Sequence, residues 1–219
     1  MEKYFSLLLR SQLFNDINSE ELPHMLKCLS AVKKDYQRGE YIFQAGKCIS
    51  YIAIVLTGKV HIQKEDYWGN QTILSEITTG GIFGETYALT PDAPLAVNAF
   101  SITDCSILFL KAIKIISPCP NACSFHSILI RNLVTALATK NLMLTGKLEH
   151  MAQRTTRNKL LSYLSLQSIN AGNSSFEIPF NRQQLADYLA IDRSAMSNEL
   201  CKLRDEDLLE FKKEHFKLI

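Results

Sequence analysis

Glycine is unevenly distributed along this 219-residue chain, and its distribution separates a β-rich part from a helical part. Seven of the nine glycines lie between positions 39 and 84, namely Gly39, Gly46, Gly58, Gly69, Gly80, Gly81 and Gly84. Short runs of β-branched and aromatic residues lie between and after them, at 41–43, 50–56, 59–64, 71–77, 97–103 and 106–110. Closely spaced strands joined by tight turns are typical of an antiparallel barrel or sandwich. No stretch between them is long enough for a crossover helix, which argues against a parallel sheet.

A long helix is predicted over residues 121–150, which contain one glycine and no proline. Two apolar stripes follow helical spacing, Ile130, Leu133, Leu137 and Leu144 on one face and Phe125, Leu129, Ala136 and Met143 on another. A helix with two apolar faces packs on two sides. Thirty residues span roughly 45 Å, more than a small barrel covers. We therefore expect the first stripe to pair with the same helix of a second subunit. A helix buried within one large core is the alternative.

Two shorter helices near the C-terminus have the spacing of a helix-turn-helix. Asn181 is followed three positions later by Gln184, which is a capping-box pattern for the first helix. Asp192 is placed to cap the second helix, which starts at Arg193 and runs to about Asp205. Apolar residues form the inner faces of both helices. Two short strands, at 209–212 and 215–218, are predicted to follow.

Polar residues open the outer face of the second helix, namely Arg193, Ser194, Ser197 and Asn198. A helix fits the major groove of DNA, where its N-terminal side chains meet the base edges. Other basic residues are candidates for phosphate contacts, namely Arg182, Lys202 and the cluster Arg154, Arg157 and Lys159. A helical hairpin with an ordinary solvated face is the alternative reading of this segment.

The order of a glycine-rich β-roll, a long helix, a helix-turn-helix and two short strands resembles transcription regulators of the Crp/Fnr family. The resemblance lies in Phe83-Gly84-Glu85 with the turn after it, in residues 132–144, and in residues 183–203 with Leu208-Leu209. It implies an α+β protein: an effector-sensing β-roll of the cyclic-nucleotide-binding, jelly-roll type over 1–120, a dimerisation helix over 121–150 and a winged helix-turn-helix over 151–219.

The same resemblance implies a homodimer that binds a palindromic double-stranded DNA operator and is controlled by an effector in the β-roll. It also suggests RNA polymerase as a further partner. Members that read the best-known operator carry Arg, Glu and Arg in the recognition helix, where this chain has Arg193, Ser194 and Asn198. We therefore expect a different target sequence.

The effector pocket implied by the family lies around Gly84, Glu85, Leu95 and Ala96. Family members that bind cyclic nucleotides hold the phosphate with an Arg shortly after the Gly-Glu pair. Residues 92–98 of this chain contain no Arg, Lys, Ser or Thr. A buried phosphate without its cation would cost about 3–5 kcal/mol or more. We therefore expect no useful binding of cyclic AMP, and the sequence leaves the effector unidentified.

Cys119, Cys123 and His126 form the one pattern that suggests a metal or redox site. A closed structural zinc site usually needs four ligands, and only three are present here. Ordinary buried thiols are the alternative, and we predict no metal and no cofactor.

Catalysis is not expected, because the five histidines stand singly and no nucleophile elbow or phosphate-binding loop occurs. A sensor domain that docks on a protein partner, without binding DNA, is the alternative function. The net charge of +2 does not itself indicate a partner. With no apolar run long enough to span a membrane and no export signal, we expect a cytoplasmic protein with reduced cysteines.

Overall fold

A computed structural model describes residues 1–69, 71–117 and 125–219 of the chain. The fold is of the α+β class that the sequence predicts, with antiparallel sheets, one long helix and a C-terminal helix-turn-helix. The chain divides into two compact units, Met1–Leu137 and Ala138–Ile219. The three domain ranges given above stay a prediction.

The first unit contains two antiparallel sheets. Its strands are β1 (Val32–Tyr36), β2 (Tyr41–Phe43), β3 (Tyr51–Thr57), β4 (Val60–Glu65), β5 (Gln71–Ile77), β6 (Ile82–Phe83), β7 (Asn98–Ser101) and β8 (Cys105–Lys111). One sheet has the strand order β1-β8-β3-β6 and the other has the order β2-β7-β4-β5. Apart from the β4–β5 hairpin, strands adjacent in sequence lie in different sheets, which gives the β-roll that the glycine distribution predicts.

Strands β3 and β8 are buried on both faces and therefore read as nearly continuous apolar runs. The side chains of Ile52, Ile54 and Leu108 pack with the helices of the first unit. Those of Ala53, Val55 and Phe109 point the other way, into the roll. The helices are α1 (Phe5–Arg10), α2 (Leu22–Cys28), α3 (Glu85–Leu89), α4 (Ala112–Ile116) and the first half of α5 (Phe125–Met151).

Several features of the first unit differ from the sequence analysis, which did not predict α1, α4 or the two-residue strand β6. The sequence also favours a short N-terminal helical segment around Asp16–Leu29. The observed helix α2 is shorter, because Asp16 has a positive φ and Pro23 lies in the first turn of α2. Strand β1 was not predicted, since the run Val-Lys-Lys-Asp-Tyr has no apolar alternation. It is an edge strand that is largely open to solvent, so it needs few apolar residues.

The second unit contains α6 (Thr156–Ala171), β9 (Ser175–Glu177), α7 (Arg182–Leu189), α8 (Arg193–Asp205), β10 (Leu209–Lys212) and β11 (His215–Leu218). The sequence pattern predicts an amphipathic helix over Arg154–Ser168, and helix α6 begins two residues later and ends three residues later than that. Its start is fixed by Thr155, whose hydroxyl accepts from the Asn158 amide, and its end by Gly172 in the left-handed region. The three strands form an antiparallel sheet in the order β10-β11-β9.

Within the described ranges 1–69, 71–117 and 125–219, no helix has the combination of length and hydropathy needed to cross a membrane.

Gly58 forms the turn between β3 and β4 with φ of +85°, and a Cβ there would lie 2.6 Å from Cys105 Sγ and against the Asp104 carbonyl oxygen. Gly46 has a similar φ of +81° but open space around its Cα. We expect Gly58→Ala to lower the free energy of unfolding by about 2–4 kcal/mol, because backbone strain and overpacking add. Gly46→Ala introduces only the backbone strain and should lower the free energy of unfolding by about 1–2 kcal/mol. Equal losses in urea unfolding of the two variants would contradict this explanation.

Candidate nucleic-acid interface and effector site

Local sequence signals set the geometry of the α7–α8 pair. Asn181 Oδ1 accepts from the Gln184 amide at 3.0 Å, and Gln184 Oε1 accepts from the Asn181 amide at 2.9 Å, so the predicted capping box is formed. Ala190 ends α7 in the left-handed region. Asp192 Oδ1 then accepts from the Ala195 amide at 2.8 Å and starts α8. The turn between the helices is therefore only three residues long.

The inner faces of both helices are fully buried against each other and against α6 and the sheet. These residues are Leu185, Ala186 and Leu189 of α7 and Met196, Leu200 and Leu203 of α8. Because this face is committed to the core, the opposite face of α8 must point to solvent.

The outward face carries the side chains that the sequence predicts for base contacts. Arg193, Ser194 and Asn198 are exposed. Ser197 is half-buried, and its hydroxyl donates to the Arg193 carbonyl at 2.9 Å. Lys202, one turn further along, is exposed and lies 3.8 Å from Glu199. The start of α8 thus presents an Arg and an Asn side chain to solvent on one rigid helix.

Two of the predicted phosphate-binding residues have internal roles instead. Arg157 Nη1 donates to Glu206 Oε1 at 2.9 Å and also contacts Glu199 at 3.4 Å. Its hydrogen bonds to Glu206 raise the pKa of Arg157, and the same contact lowers the pKa of Glu206. Lys159 Nζ donates to the Leu189 carbonyl at 3.2 Å, where it caps the C-terminus of α7. Spacing in the sequence could not show that acidic residues of α8 and its end lie next to Arg157.

Arg182 has a setting that the sequence did not indicate. Its guanidinium lies over the rings of Phe211 and Phe216, 5.1 Å and 5.0 Å from their centroids, and so ties α7 to the β10–β11 hairpin. Burial lowers the pKa of Arg182, although the ring faces favour its positive charge. The phosphate contact predicted for Arg182 stays a prediction, and its observed contacts are with the hairpin.

The residues predicted for the effector pocket have distinct settings. Gly84 has φ of +81° at the start of α3, and a Cβ there would lie 2.9 Å from the Phe43 ring. Glu85 is 4% exposed, and so is Leu95, which lies in the segment 92–98 where the resemblance expects an Arg. The Leu95 backbone is fixed to the 46–47 turn by two hydrogen bonds. Ala96 is exposed.

The predicted dimer stripe of α5 divides between two environments. Leu133 is 2% exposed in the core of the first unit, and Leu137 packs against that core. Ile130 is half-buried, whereas Leu144 is 61% exposed. Leu133 is therefore an internal core residue of its own chain, which corrects its assignment to the dimer stripe. Sequence periodicity alone cannot distinguish a stripe that meets the same chain from one that meets a partner.

Cys119 and Cys123 lie outside the described residues. His126 is buried, its Nε2 lies 3.1 Å from the Lys114 carbonyl oxygen, and its ring stacks on Phe125. The described parts of the chain contain no group of three or more His, Cys, Asp and Glu side chains arranged to hold a metal ion.

Family models of known proteins match both the β-roll and the helix-turn-helix of this chain. The family model described as cyclic nucleotide-binding domain matches residues 33–117. The model described as Crp-like helix-turn-helix domain matches residues 158–219, which include α7 and α8. The chain belongs to the Crp/Fnr family. A Crp-like helix-turn-helix indicates DNA binding, so this Crp/Fnr protein is a transcription regulator and not an enzyme.

Solved structures share the fold of this Crp/Fnr protein at low identity. The Catabolite Activator Protein of Thermus thermophilus is 21% identical with a TM-score of 0.51, over 95% of this chain and 94% of that one. CprK in complex with OCPA is 14% identical with a TM-score of 0.65, over 91% of each chain. The c-di-GMP responsive regulator CLP of Xanthomonas campestris is 16% identical with a TM-score of 0.58, over 92% and 99%. A search of curated proteins found no match.

His150, near the end of α5, should make the free energy of unfolding of this Crp/Fnr protein depend on pH. Its Nδ1 lies 2.8 Å from Ser162 Oγ, its ring packs edge-on against Tyr163, and burial lowers its pKa. The unfolded chain therefore binds a proton more readily than the folded one. The free energy of unfolding should fall as the pH drops below the unfolded pKa of about 6.5.

We expect His150→Gln to flatten this decline between about pH 7 and pH 5 in urea titrations. His215→Gln, which replaces an exposed imidazole, serves as the matched control and should keep the wild-type slope. An unchanged slope in His150→Gln would contradict the assignment.

Proposed function

We propose that this chain is a homodimeric transcription regulator that reads a palindromic operator through the start of α8 and responds to an effector other than cyclic AMP. The observation that carries the proposal is the exposed set Arg193, Ser194 and Asn198 on a helix whose other face is fully buried. The docking alternative does not account for the match to a Crp-like helix-turn-helix.

Base recognition by α8 follows from the chemistry of its first turn. Arg193 can donate two hydrogen bonds to guanine, and Asn198 can both donate to and accept from adenine. Ser194 can contact either a base or the backbone. Lys202 is suited to a phosphate contact, which adds affinity without sequence information. Two such helices in a symmetric dimer would enter half-sites about 34–36 Å apart.

A dimer is supported by an exposed apolar stripe on α5 that keeps Leu137 and Leu144 of the predicted stripe but not Ile130 and Leu133. Val134, Leu144, Leu148 and Met151 are 40–66% exposed. With Leu137 and Asn141 they fall seven residues apart in two series, 134-141-148 and 137-144-151. This is the heptad spacing of a coiled-coil seam, and a polar Asn within such a seam fixes the register of the pair.

Control by an effector would act as a population shift between dimer arrangements that differ in the spacing of the recognition helices. Solved structures with this fold are described as a complex with OCPA in one case and as c-di-GMP responsive in another. The fold alone therefore does not fix the effector. RNA polymerase remains an expected partner.

We predict that cyclic AMP does not bind in the micromolar range, because the buried Leu95 cannot compensate a phosphate charge. Isothermal titration calorimetry of the protein with cyclic AMP measures this directly. A dissociation constant in that range would refute the prediction.

We predict that Arg193→Ala weakens binding to the preferred operator by about 1–3 kcal/mol and relaxes the preference at one base pair. Selection from a randomised duplex pool would define the operator, and fluorescence anisotropy would then give the affinities. Lys202→Ala is the comparison variant: it should weaken binding to all sequences alike and reduce the salt dependence. If Arg193→Ala lowered the affinity for every sequence equally, Arg193 would contact phosphate instead.

We predict that Leu144→Glu dissociates the dimer, because it would bury a charge in the apolar seam. Leu142→Glu is the matched control, since Leu142 is 73% exposed and lies outside the seam. Light scattering should give a mass near 24.8 kDa for Leu144→Glu and twice that mass for the control. A wild-type chain that stays monomeric at all concentrations, or equal dissociation of both variants, would overturn the dimer.

A further inference from the structure

A recess opens at one end of the β-roll, between strands β1, β2, β3 and β8. Its volume is about 380 Å³, which lies within the range of small-molecule pockets. It is lined by Val32, Lys34, Tyr36, Ile42, Phe43, Tyr51 and Phe109. Four of the seven residues are aromatic, so the walls offer ring faces and edges to a flat ligand.

The register of the strands explains how these side chains converge. Val32 pairs with Phe109 and Lys34 with Ile107, so alternate residues of β1 share the face on which the Phe109 ring lies. The Phe109 ring is 5.8 Å from that of Phe43 and 6.3 Å from that of Tyr36. Phe109 therefore forms the floor of the recess, and the other rings surround it.

One positive charge lies at this recess. Lys34 Nζ is 5.9 Å from the centre of the Phe109 ring, and no carboxylate lies within 4 Å of it in the part of the chain that the structure describes. Neighbouring Lys33 points to the other face of β1 and pairs with Asp35 at 2.5 Å. The two lysines therefore differ: the charge of Lys33 is paired with a carboxylate, whereas the charge of Lys34 lies next to the aromatic ring of Phe109.

We propose that this recess binds a small planar anion, of the class of aromatic carboxylates or sulfonates, with its rings among the aromatic side chains and its acidic group at the Lys34 ammonium. Apolar walls with a single cation are complementary to a flat hydrophobic molecule with one negative charge. The inference rests on the proposed function, because it assigns the chemical class of the effector. It also moves the site away from Leu95 and Ala96.

Phe43 lies between the recess and the segment Phe83-Gly84-Glu85, which carries the family resemblance. Its ring lies 5.6 Å from that of Phe83, and a Cβ on Gly84 would meet it at 2.9 Å. A ligand that displaces the Phe43 ring would therefore press on the turn that begins α3. This contact gives a bound anion a physical route to the part of the β-roll around Glu85.

The test uses a pair of fluorescent probes that differ by one charged group. The anion is 8-anilinonaphthalene-1-sulfonate, and N-phenyl-1-naphthylamine is the same ring system without the sulfonate. Both are titrated into the full-length protein and its Lys34→Gln, Lys33→Gln and Val32→Trp variants, after thermal unfolding has shown that each variant is folded. Val32 is 44% exposed at the recess, so a Trp there would fill the recess with little change to the core.

We expect Lys34→Gln to weaken binding of the anionic probe about fivefold to tenfold, as for the loss of one charge-assisted contact. Binding of the neutral probe should stay within about twofold of wild type, and Lys33→Gln should alter neither probe by more than that. Val32→Trp should weaken both probes. A Lys34→Gln variant that binds the anion as tightly as wild type, or probe binding that no variant changes, would overturn the proposal.

Probe binding and operator binding are measured separately, so the two proposals fail separately. A protein that binds its operator but neither probe would overturn the aromatic-anion site alone. A protein that binds the anionic probe through Lys34 but no DNA would overturn the proposed regulator function alone.

Discussion

Burial of one face of α8 holds the proposed DNA-binding surface in place. Met196, Leu200 and Leu203 are removed from water, and each such side chain stabilises the fold by about 1.5–3 kcal/mol. Rotating the helix to hide its polar face would expose all three. The side chains of Arg193 and Asn198 are thus held outward by the packing of buried residues on the opposite face.

Some basic residues of the second unit make contacts within the protein, whereas others stay exposed. Arg157 and Lys159 hold α6 to the end of α8 and to the end of α7, and Arg182 packs on the aromatic rings of the β10–β11 hairpin. These three cations keep the helix-turn-helix and its hairpin in position. The exposed side chains of α8, which have few internal contacts, are the ones for which we propose base recognition. Such a separation agrees with the general rule that precise sites are built on rigid elements.

Local patterns in the sequence were sufficient for much of the fold. Turns at Gly58, the strand pattern and the caps at Asn181 and Asp192 depend on neighbours within a few residues, and these predictions are confirmed. Strand β1 was missed because an edge strand open to solvent has no apolar alternation to detect. Since Val32, Lys34 and Tyr36 all lie on β1, the aromatic recess was missed for the same reason. The predicted effector residues followed a family motif, whereas the recess arises from the pairing of distant strands.

The order of the parts is encoded in the amino-acid sequence: a glycine-rich β-roll, a long helix and a capped helix pair whose second helix begins with Arg193. These features are encoded locally, through positive-φ turns, helical periodicity and hydrogen-bonding caps. Which charged side chains pair across the fold is visible only once the chain is folded. Arg157 and Lys202 have the same charge and neither is deeply buried. Arg157 is paired with Glu206, 49 residues away in the chain, whereas Lys202 stays exposed with its Nζ 3.8 Å from Glu199 of its own helix. Ion pairing depends on distances in space, and a one-dimensional pattern does not contain them.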